Sequence, residues 1–272
     1  MIKNLPLWFA ICWKFTFIIF RIKISMESSK IVSQEEWLKA RRELLKKEKE
    51  FSKARDELTC ERQKLPWVNI EKDYFFDGPK GKVSLGEIFK GKSQLIVYHF
   101  MFEEDWEEGC KSCSFLADHY EPAIIHLANR DVSMVTISKA PYEKIEVFKK
   151  RMNWKFNWLS SQNSDFNRDF FVSFTDDEMK SGKGFYNFEE GPVFLTKEAP
   201  GISVFVKDKE EKIYHTYSAY ARGLENFITT YHLLDIVPKG RDENSFSYGM
   251  EWLRHKDRYG DETFIDPYTL KK

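Results

Sequence analysis

Cysteine is scarce in this sequence, and neither sign of charge is in excess. Only four cysteines occur in 272 residues, Cys12, Cys60, Cys110 and Cys113, and four are too few for a disulfide-stapled secreted scaffold of this size. The formal net charge is +0, so we expect neither a nucleic-acid surface nor a polybasic membrane patch. The length allows one large α/β domain, or one domain with an appendage.

Motifs of several common enzyme classes are also missing. The sequence contains no Gly-x-Ser-x-Gly, no P-loop, no Rossmann glycine fingerprint and no His-Glu-x-x-His, which leaves hydrolase, kinase and nicotinamide-dependent activities with little support. Aromatic residues, in contrast, are plentiful at 16%, and we expect most of them to pack in a core.

A Cys-Lys-Ser-Cys motif, Cys110 to Cys113, separates a predicted strand from a predicted helix. The run 94–102 (QLIVYHFMF) is apolar, aromatic and β-branched, which predicts a buried strand, and SFLADHYEPAIIHLANR after the motif predicts a helix. Two thiols at this place form the redox motif of a thioredoxin-like domain, since a helix N-terminus favours a thiolate. We expect Cys110 to attack a disulfide and Cys113 to resolve the mixed disulfide.

Charged residues close to the motif have opposing effects on the stability of the Cys110 thiolate. Lys111 would favour the thiolate, whereas like-charge repulsion from three acidic residues would oppose it. These three are Asp105, Glu107 and Glu108.

Trp106 and Pro200 are candidate substrate-binding residues. Trp106 precedes the motif, and its ring either forms the floor of a substrate groove or packs in the core. Pro200 lies just before the strand GISVFVK, where a cis proline beside the C-x-x-C would shape the substrate groove. An ordinary trans proline is the alternative.

The histidines argue against a metal site. Cys110, Cys113, His119 and His126 have the spacing C-x2-C-x5-H-x6-H, which is not that of a zinc finger. We therefore expect no metal and no other cofactor. Three further histidines are interpreted as structural: His99, His215 and His232.

The predicted elements follow the order β-α-β-α, a connection, then β-β-α. This is the order of the thioredoxin topology, an α/β fold, here in a peroxiredoxin-like variant with a long N-terminal helix and an insertion before the last hairpin. The elements on which the prediction depends are a turn at 77–81, a short helix at 84–89, strands at 94–102 and 131–138, an insertion at 180–200, a hairpin of 201–207 with 212–217, and a closing helix at 223–234.

Four segments are expected along the chain. Residues 1–25 are apolar and basic, residues 26–66 hold the N-terminal helix, residues 67–237 form the thioredoxin-like domain, and residues 238–272 are a polar tail with Trp252 and Tyr259 as anchors. The run 5–20 is short for a membrane-spanning helix. Met26 is interpreted as the natural start, with a membrane anchor through 5–20 or a cleaved export signal as alternatives.

The N-terminal helix is predicted from its cap. Ser33 and Glu36 form a capping box, and Leu65-Pro66 ends the helix near Lys64. Its thin apolar stripe either docks on the domain or forms a homodimer, and the pattern does not decide between the two.

The run from about residue 30 to about residue 260 resembles a bacterial family of thioredoxin-like proteins, the domain of unknown function 899. The resemblance is carried by stretches such as VSQEEWLKARRELLKKEKE, LPWVNIEKDYFFDG, SQLIVYHFMFEEDWEEGCKSCSFLADH, APGISVFVKD and WLRHKDRYG. It implies a thioredoxin-like fold and the C-x-x-C at Cys110 and Cys113, and it implies no known substrate. Lys and Ser stand between the cysteines where thioredoxins have Gly and Pro, which leaves the direction of exchange open.

Three functions are compatible with these residues. The leading hypothesis is a cytoplasmic thiol–disulfide oxidoreductase that acts on protein or small-molecule thiols and disulfides. A thiol-dependent peroxidase ranks lower, because such enzymes have Thr or Pro shortly before the attacking cysteine and this chain has EEDWEEG. The third is a non-catalytic binding protein on the same fold.

Overall fold

The computed structural model describes residues 29–194 and 196–259. The expectations for residues 1–25, including the membrane anchor, lie outside these residues. Among the helices that it does describe, none combines the length and the apolar character needed to cross a bilayer.

The described residues alternate between helices and strands. The helices are α1 (Gln34–Gln63), α2 (Lys111–Tyr120), α3 (Ile124–Asn129), α4 (Tyr142–Arg151), α5 (Phe166–Asp169), α6 (Asp176–Ser181) and α7 (Thr229–Leu234). The strands are β1 (Val68–Asn69), β2 (Phe75–Gly78), β3 (Gly81–Ser84), β4 (Gln94–His99), β5 (Val132–Ser138), β6 (Trp158–Ser160), β7 (Lys183–Tyr186), β8 (Glu189–Pro192), β9 (Gly201–Lys207) and β10 (Ile213–Tyr220). Short 3₁₀ helices are Glu87–Phe89, Glu121–Ala123, Ala221–Phe227 and Lys256–Arg258.

Eight strands form one sheet in the order β1-β10-β9-β4-β5-β6-β2-β3. β4 and β5 pair in parallel, as do β5 and β6, while β9 pairs antiparallel with the other edge of β4 and with β10. A parallel β4–α2–β5 unit beside an antiparallel closing hairpin confirms the predicted thioredoxin-like α/β fold. The predicted insertion contains a separate two-stranded sheet of β7 and β8.

The central strand β4 divides the core into two clusters. Leu95 and Val97 belong to the cluster with Phe166, and Tyr98 belongs to the cluster beneath α2. Adjacent side chains of a strand point to opposite faces, so this apolar strand contacts a packed layer on each side.

Two predicted helices are interrupted in the structure. The helical pattern after Cys113 changes to a 3₁₀ turn at Pro122 before α3, since proline lacks the backbone N–H that a continuous helix requires. The closing helix predicted at 223–234 is a 3₁₀ turn followed by α7. The two are separated by Ile228, which leaves the helical region (φ −107°, ψ 89°) and is 2% exposed.

Helix α1 begins at the predicted capping box and stands away from the core. The Ser33 side chain accepts from the Glu36 N–H, and the Glu36 carboxylate accepts from the Ser33 N–H. The helix has 30 residues and is therefore about 45 Å long. None of its residues is buried, so its stripe does not dock on the domain of its own chain.

Candidate active site

Cys110 is the N-cap residue of α2, as predicted. Its N–H donates to the Met101 carbonyl (3.0 Å), which ties the residue to the end of the central strand. Its own carbonyl accepts from the Ser114 N–H and from Ser114 Oγ, both at 2.9 Å. The end of the strand and the first helical turn therefore hold Cys110 from both sides.

The residue before Cys110 must be small. A Cβ on Gly109 would lie 2.6 Å from a ring carbon of Phe100 and 2.8 Å from one of Phe148. The loop consequently passes against two buried aromatic rings just before it reaches the helix, and only glycine permits that approach.

The two thiols are free and have different acidities. A hydrogen bond from the Cys113 thiol, the N–H groups of Ser112 and Cys113, and the charge of Lys111 outweigh burial and lower the pKa of Cys110 to about 7. Burial raises the pKa of Cys113 well above its ordinary value, and the adjacent Cys110 raises it further. Cys110 is half-buried and Cys113 is 3% exposed. The geometry thus provides a nucleophilic thiolate with a protonated thiol beside it.

Pro200 lies at the end of the sheet where β4 leads into the cysteine loop. Its neighbour Gly201 pairs with His99, the last residue of β4. The Ala199–Pro200 peptide is trans, because no cis bond occurs among the described residues, so the predicted cis conformation is wrong. The trans segment is held in place without it, since the Ala199 N–H donates to the Val172 carbonyl (2.8 Å).

Tyr186 from the insertion reaches this same segment. Its hydroxyl donates to the Pro200 carbonyl (2.7 Å) and accepts from the Ala221 N–H (3.0 Å). Burial raises the pKa of Tyr186, and the nearby Cys113 thiol contributes. No sequence pattern indicated this residue, because only the fold brings β7 to the cysteine pair.

Trp106 packs in the core cluster that also contains Cys113. The residue is half-buried, and its backbone N–H donates to the Glu103 carbonyl (3.3 Å). These contacts show a packing role for part of the ring, while its place as a groove residue stays a prediction.

Glu198 is a buried acid two residues before Pro200, and no sequence pattern indicated it. It is 4% exposed and accepts from Asn167 Nδ2 (2.7 Å) and from Ser173 Oγ. Burial outweighs these donors and raises the pKa of Glu198 to about 7. Its carboxyl group therefore gains and loses its proton near neutral pH.

The C-terminal segment folds over the start of α2, and Trp252, one of its two predicted anchors, packs against the core. His255 Nε2 donates to the Gly109 carbonyl (2.9 Å), and His255 Nδ1 lies 3.1 Å from Glu108 Oε2. The ammonium of Lys111 donates to the Glu251 carbonyl (3.3 Å). The segment thus contacts residues on both sides of Cys110.

Glu108, one of the acidic residues expected to oppose the thiolate, forms ion pairs with an arginine of this segment and with an arginine of α4. Its carboxylate lies 2.5 Å from Arg258 Nη2 and 3.2 Å from Arg151 Nη1. Burial opposes ionisation of Glu108, but the two guanidinium groups lower its pKa overall. The negative charge two residues before Cys110 is therefore compensated within the fold.

The candidate metal ligands do not converge. His119 contacts the Phe115 carbonyl and Thr230 Oγ1 (2.7 Å), which links α2 to α7. Within residues 29–194 and 196–259, no group of three or more His, Cys, Asp or Glu residues is arranged to hold a metal ion.

Comparison with known proteins places these features in a family. A family described as bacterial protein of unknown function, DUF899, matches residues 26–259. No protein of curated function matches the sequence. Solved structures with similarity include peroxidoxin BcpB from Mycobacterium tuberculosis, with 14% identity, 61% of this chain and 95% of that chain covered, and a TM-score of 0.40.

Two further structures have a similar extent of overlap. Peroxiredoxin Q from Xanthomonas campestris is 9% identical, with 61% of this chain and 93% of that chain covered, at a TM-score of 0.39. A protein described as thiol:disulfide interchange protein DsbE, from Chlorobium tepidum, is 13% identical, with 61% and 97% covered, at a TM-score of 0.36. Similarity at this level carries no inference about chemistry.

Proposed function

The chain belongs to the bacterial family DUF899, and from its cysteine site we propose that it is a thiol–disulfide oxidoreductase. The observation that carries the proposal is the position of both thiols at the start of α2, with Cys110 half-buried at the N-cap and Cys113 buried three residues later. The pKa of Cys110 is lowered to about 7 while that of Cys113 is raised well above its usual value. Disulfide exchange requires a thiolate that attacks the substrate and a second thiol that resolves the mixed disulfide.

The reaction follows from this difference. The Cys110 thiolate attacks one sulfur of a substrate disulfide, forms a mixed disulfide and releases the first substrate thiolate, which takes up a proton. Cys110 then no longer carries a negative charge, so the pKa of Cys113 falls and its thiol loses a proton more readily. Cys113 attacks the Cys110 sulfur, releases the second substrate thiolate and leaves a Cys110–Cys113 disulfide. Two electrons pass to the substrate, and an external thiol must return them for turnover.

Substrates in this proposal are protein or small-molecule thiols and disulfides, bound beside Trp106 and Pro200. The half-buried Trp106 and the Pro200 segment held by Tyr186 support this placement. The scarcity of thiols elsewhere in the chain supports a reducing compartment, and the cytoplasm is part of the proposal.

The test compares single cysteine variants with oxidised glutathione as the probe. Wild type should form an intramolecular Cys110–Cys113 disulfide, Cys113→Ser should trap glutathione on Cys110, and Cys110→Ser should do neither. Cys60→Ser, which changes an exposed cysteine on α1, is the matched control and should behave as wild type. Intact mass and peptide mapping after alkylation provide the readout.

Other outcomes select the other functions. Rapid hydrogen peroxide consumption with a sulfenic acid on Cys110 would make the protein a peroxidase instead. Absence of any reversible disulfide or sulfenic acid at Cys110 would contradict both redox functions and leave the non-catalytic binding protein.

A further inference from the structure

An apolar stripe on α1 has no partner within the described chain. Trp37, Leu44, Phe51 and Leu58 are 50%, 51%, 71% and 50% exposed, and each follows the previous one by seven residues. Seven residues correspond to two helical turns, so the four side chains lie along about 32 Å of one helix face. An exposed stripe of this kind marks an interaction surface.

The charges beside the stripe differ between its two sides. The residue before each stripe position is always acidic, and the residue four positions after it is basic in three cases out of four. In a coiled-coil heptad the stripe occupies position a, and these neighbours occupy positions g and e. The g residues are Glu36, Glu43, Glu50 and Glu57, and the e residues are Arg41, Glu48, Arg55 and Arg62.

We propose that α1 binds a second copy of this chain through a parallel pair of α1 helices with the two stripes facing each other. In a parallel pair, each g residue meets the e residue five positions later on the other helix. Glu50 of each copy would then meet Arg55 of the other, with equivalent pairs near both ends of the stripe and one unfavourable pair, Glu43 with Glu48. An antiparallel pair would place g against g, so that glutamates would face glutamates.

The central residues Glu50 and Arg55 are available for an ion pair between two copies. Ion pairs within α1 join Arg41 to Glu48, Glu43 to Lys46, Glu57 to Lys53 and Glu61 to Lys64. Among the described residues, Glu50 and Arg55, which flank Phe51, make no ion pair of their own. Both side chains are therefore free for contacts between copies at the most exposed point of the stripe.

The d positions limit the strength of the dimer. Ala40 and Ala54 allow close approach of two helices, whereas Lys47 and Glu61 must lie with their aliphatic stems over the seam and their charges in water. The dimer should consequently dissociate on dilution. A membrane surface is a poorer occupant, because interfacial helices have basic flanks and one flank here is entirely glutamate.

Sedimentation equilibrium of the full chain, from about 1 to about 100 μM, tests whether the α1 stripe forms a dimer. Wild type should be a dimer that dissociates on dilution, and Phe51→Glu should raise the dissociation constant about tenfold or more, since it places two carboxylates in the seam. Val147→Glu is the matched control. It changes a residue of α4 that is 72% exposed and should leave the dimer unchanged.

Charge exchange tests the orientation. Glu50→Arg alone should weaken the dimer about threefold to tenfold, and Glu50→Arg with Arg55→Glu should restore it, because the exchanged pair is complementary again only in the parallel arrangement. A dimer that the double variant does not restore would contradict the parallel pairing.

Cross-linking provides an independent readout. In a Cys60→Ser chain, Ala54→Cys at the seam should form a disulfide between copies at residue 54, mapped by peptide mass, while Lys49→Cys on the outer face should not. A monomer at every concentration, an unaffected Phe51→Glu dimer, cross-linking at Lys49→Cys instead, or capture of a different protein by a monomeric α1 would overturn the proposal.

Discussion

The two ends of the described chain are both highly charged, but only the C-terminal end packs on the domain. Leu253 is 0% exposed and His255 is 8% exposed, whereas α1 has no buried residue. Within this segment, the Glu243 carboxylate links Trp252 to α7, since Glu243 Oε1 accepts from Tyr231 Oη (2.9 Å) and Trp252 Nε1 (2.7 Å). A charged segment docks on the domain only if complementary groups of the same chain bind it. Its charge content alone therefore does not predict whether it docks.

The largest expected difference between the two ends is in the unfolding free energy lost when a leucine is replaced by alanine. Leu253→Ala should lower the free energy of unfolding by about 2–5 kcal/mol, because it opens a cavity. Leu58→Ala, at a position that is 50% exposed, should cost less than about 1 kcal/mol. Urea denaturation in a Phe51→Glu background measures both without a contribution from dimerisation. Equal losses at the two sites would contradict the comparison.

The buried Glu198 should contribute more to the pH dependence of the free energy of unfolding than an exposed glutamate on α1 does. The pKa of Glu198 is raised from 4.5 to about 7, so the folded protein binds this proton more tightly than the unfolded chain does. Its contribution is present below pH 4.5 and is lost as the pH rises through about 7. Relative to Glu198→Gln, wild type should lose up to about 3 kcal/mol of unfolding free energy over this range.

Glu50→Gln on α1 is the matched control for that measurement. Its side chain is exposed, and in the Phe51→Glu background its removal should change the pH dependence by less than about 0.5 kcal/mol. Denaturation curves at about pH 5 and about pH 8 provide the comparison. A Glu198→Gln curve parallel to wild type would show that this carboxyl group titrates normally.

The smallest effect concerns the reactivity of Cys110. Arg258→Gln removes one of the cations on Glu108, which leaves more negative charge near the thiol and should raise the pKa of Cys110 by about 0.3 units. Arg62→Gln, on α1, should not change it. The rate of iodoacetamide modification at Cys110 against pH, read by peptide mass, measures the shift. A downward shift would contradict the neutralising role of the C-terminal segment.

The part of the fold that depends on local pattern was predictable. The capping box at Ser33, the turn between β2 and β3, and the strands β4 and β5 were all expected, and the structure confirms them. Each depends on a few adjacent residues or on the apolar run of a strand. The α2 break at Pro122 was missed because the apolar spacing continues through it.

The candidate site was predictable only in its first element. Cys110 at a helix N-cap follows from a short stretch of sequence, but the residues that surround it come from distant segments. Tyr186, Glu198 and His255 lie 76, 88 and 145 positions after Cys110, and none carries a motif. The bond before Pro200 has the ordinary trans conformation, which the position of the proline before β9 did not reveal.

The amino-acid sequence by itself determined the order of elements, the heptad stripe of α1 and the position of two thiols at a helix start, because these depend on neighbours in the chain. Tertiary structure alone decided which carboxyl group is buried and which charged end is docked. Those properties depend on desolvation and on partners far away in the chain, and they exist only after the chain has folded.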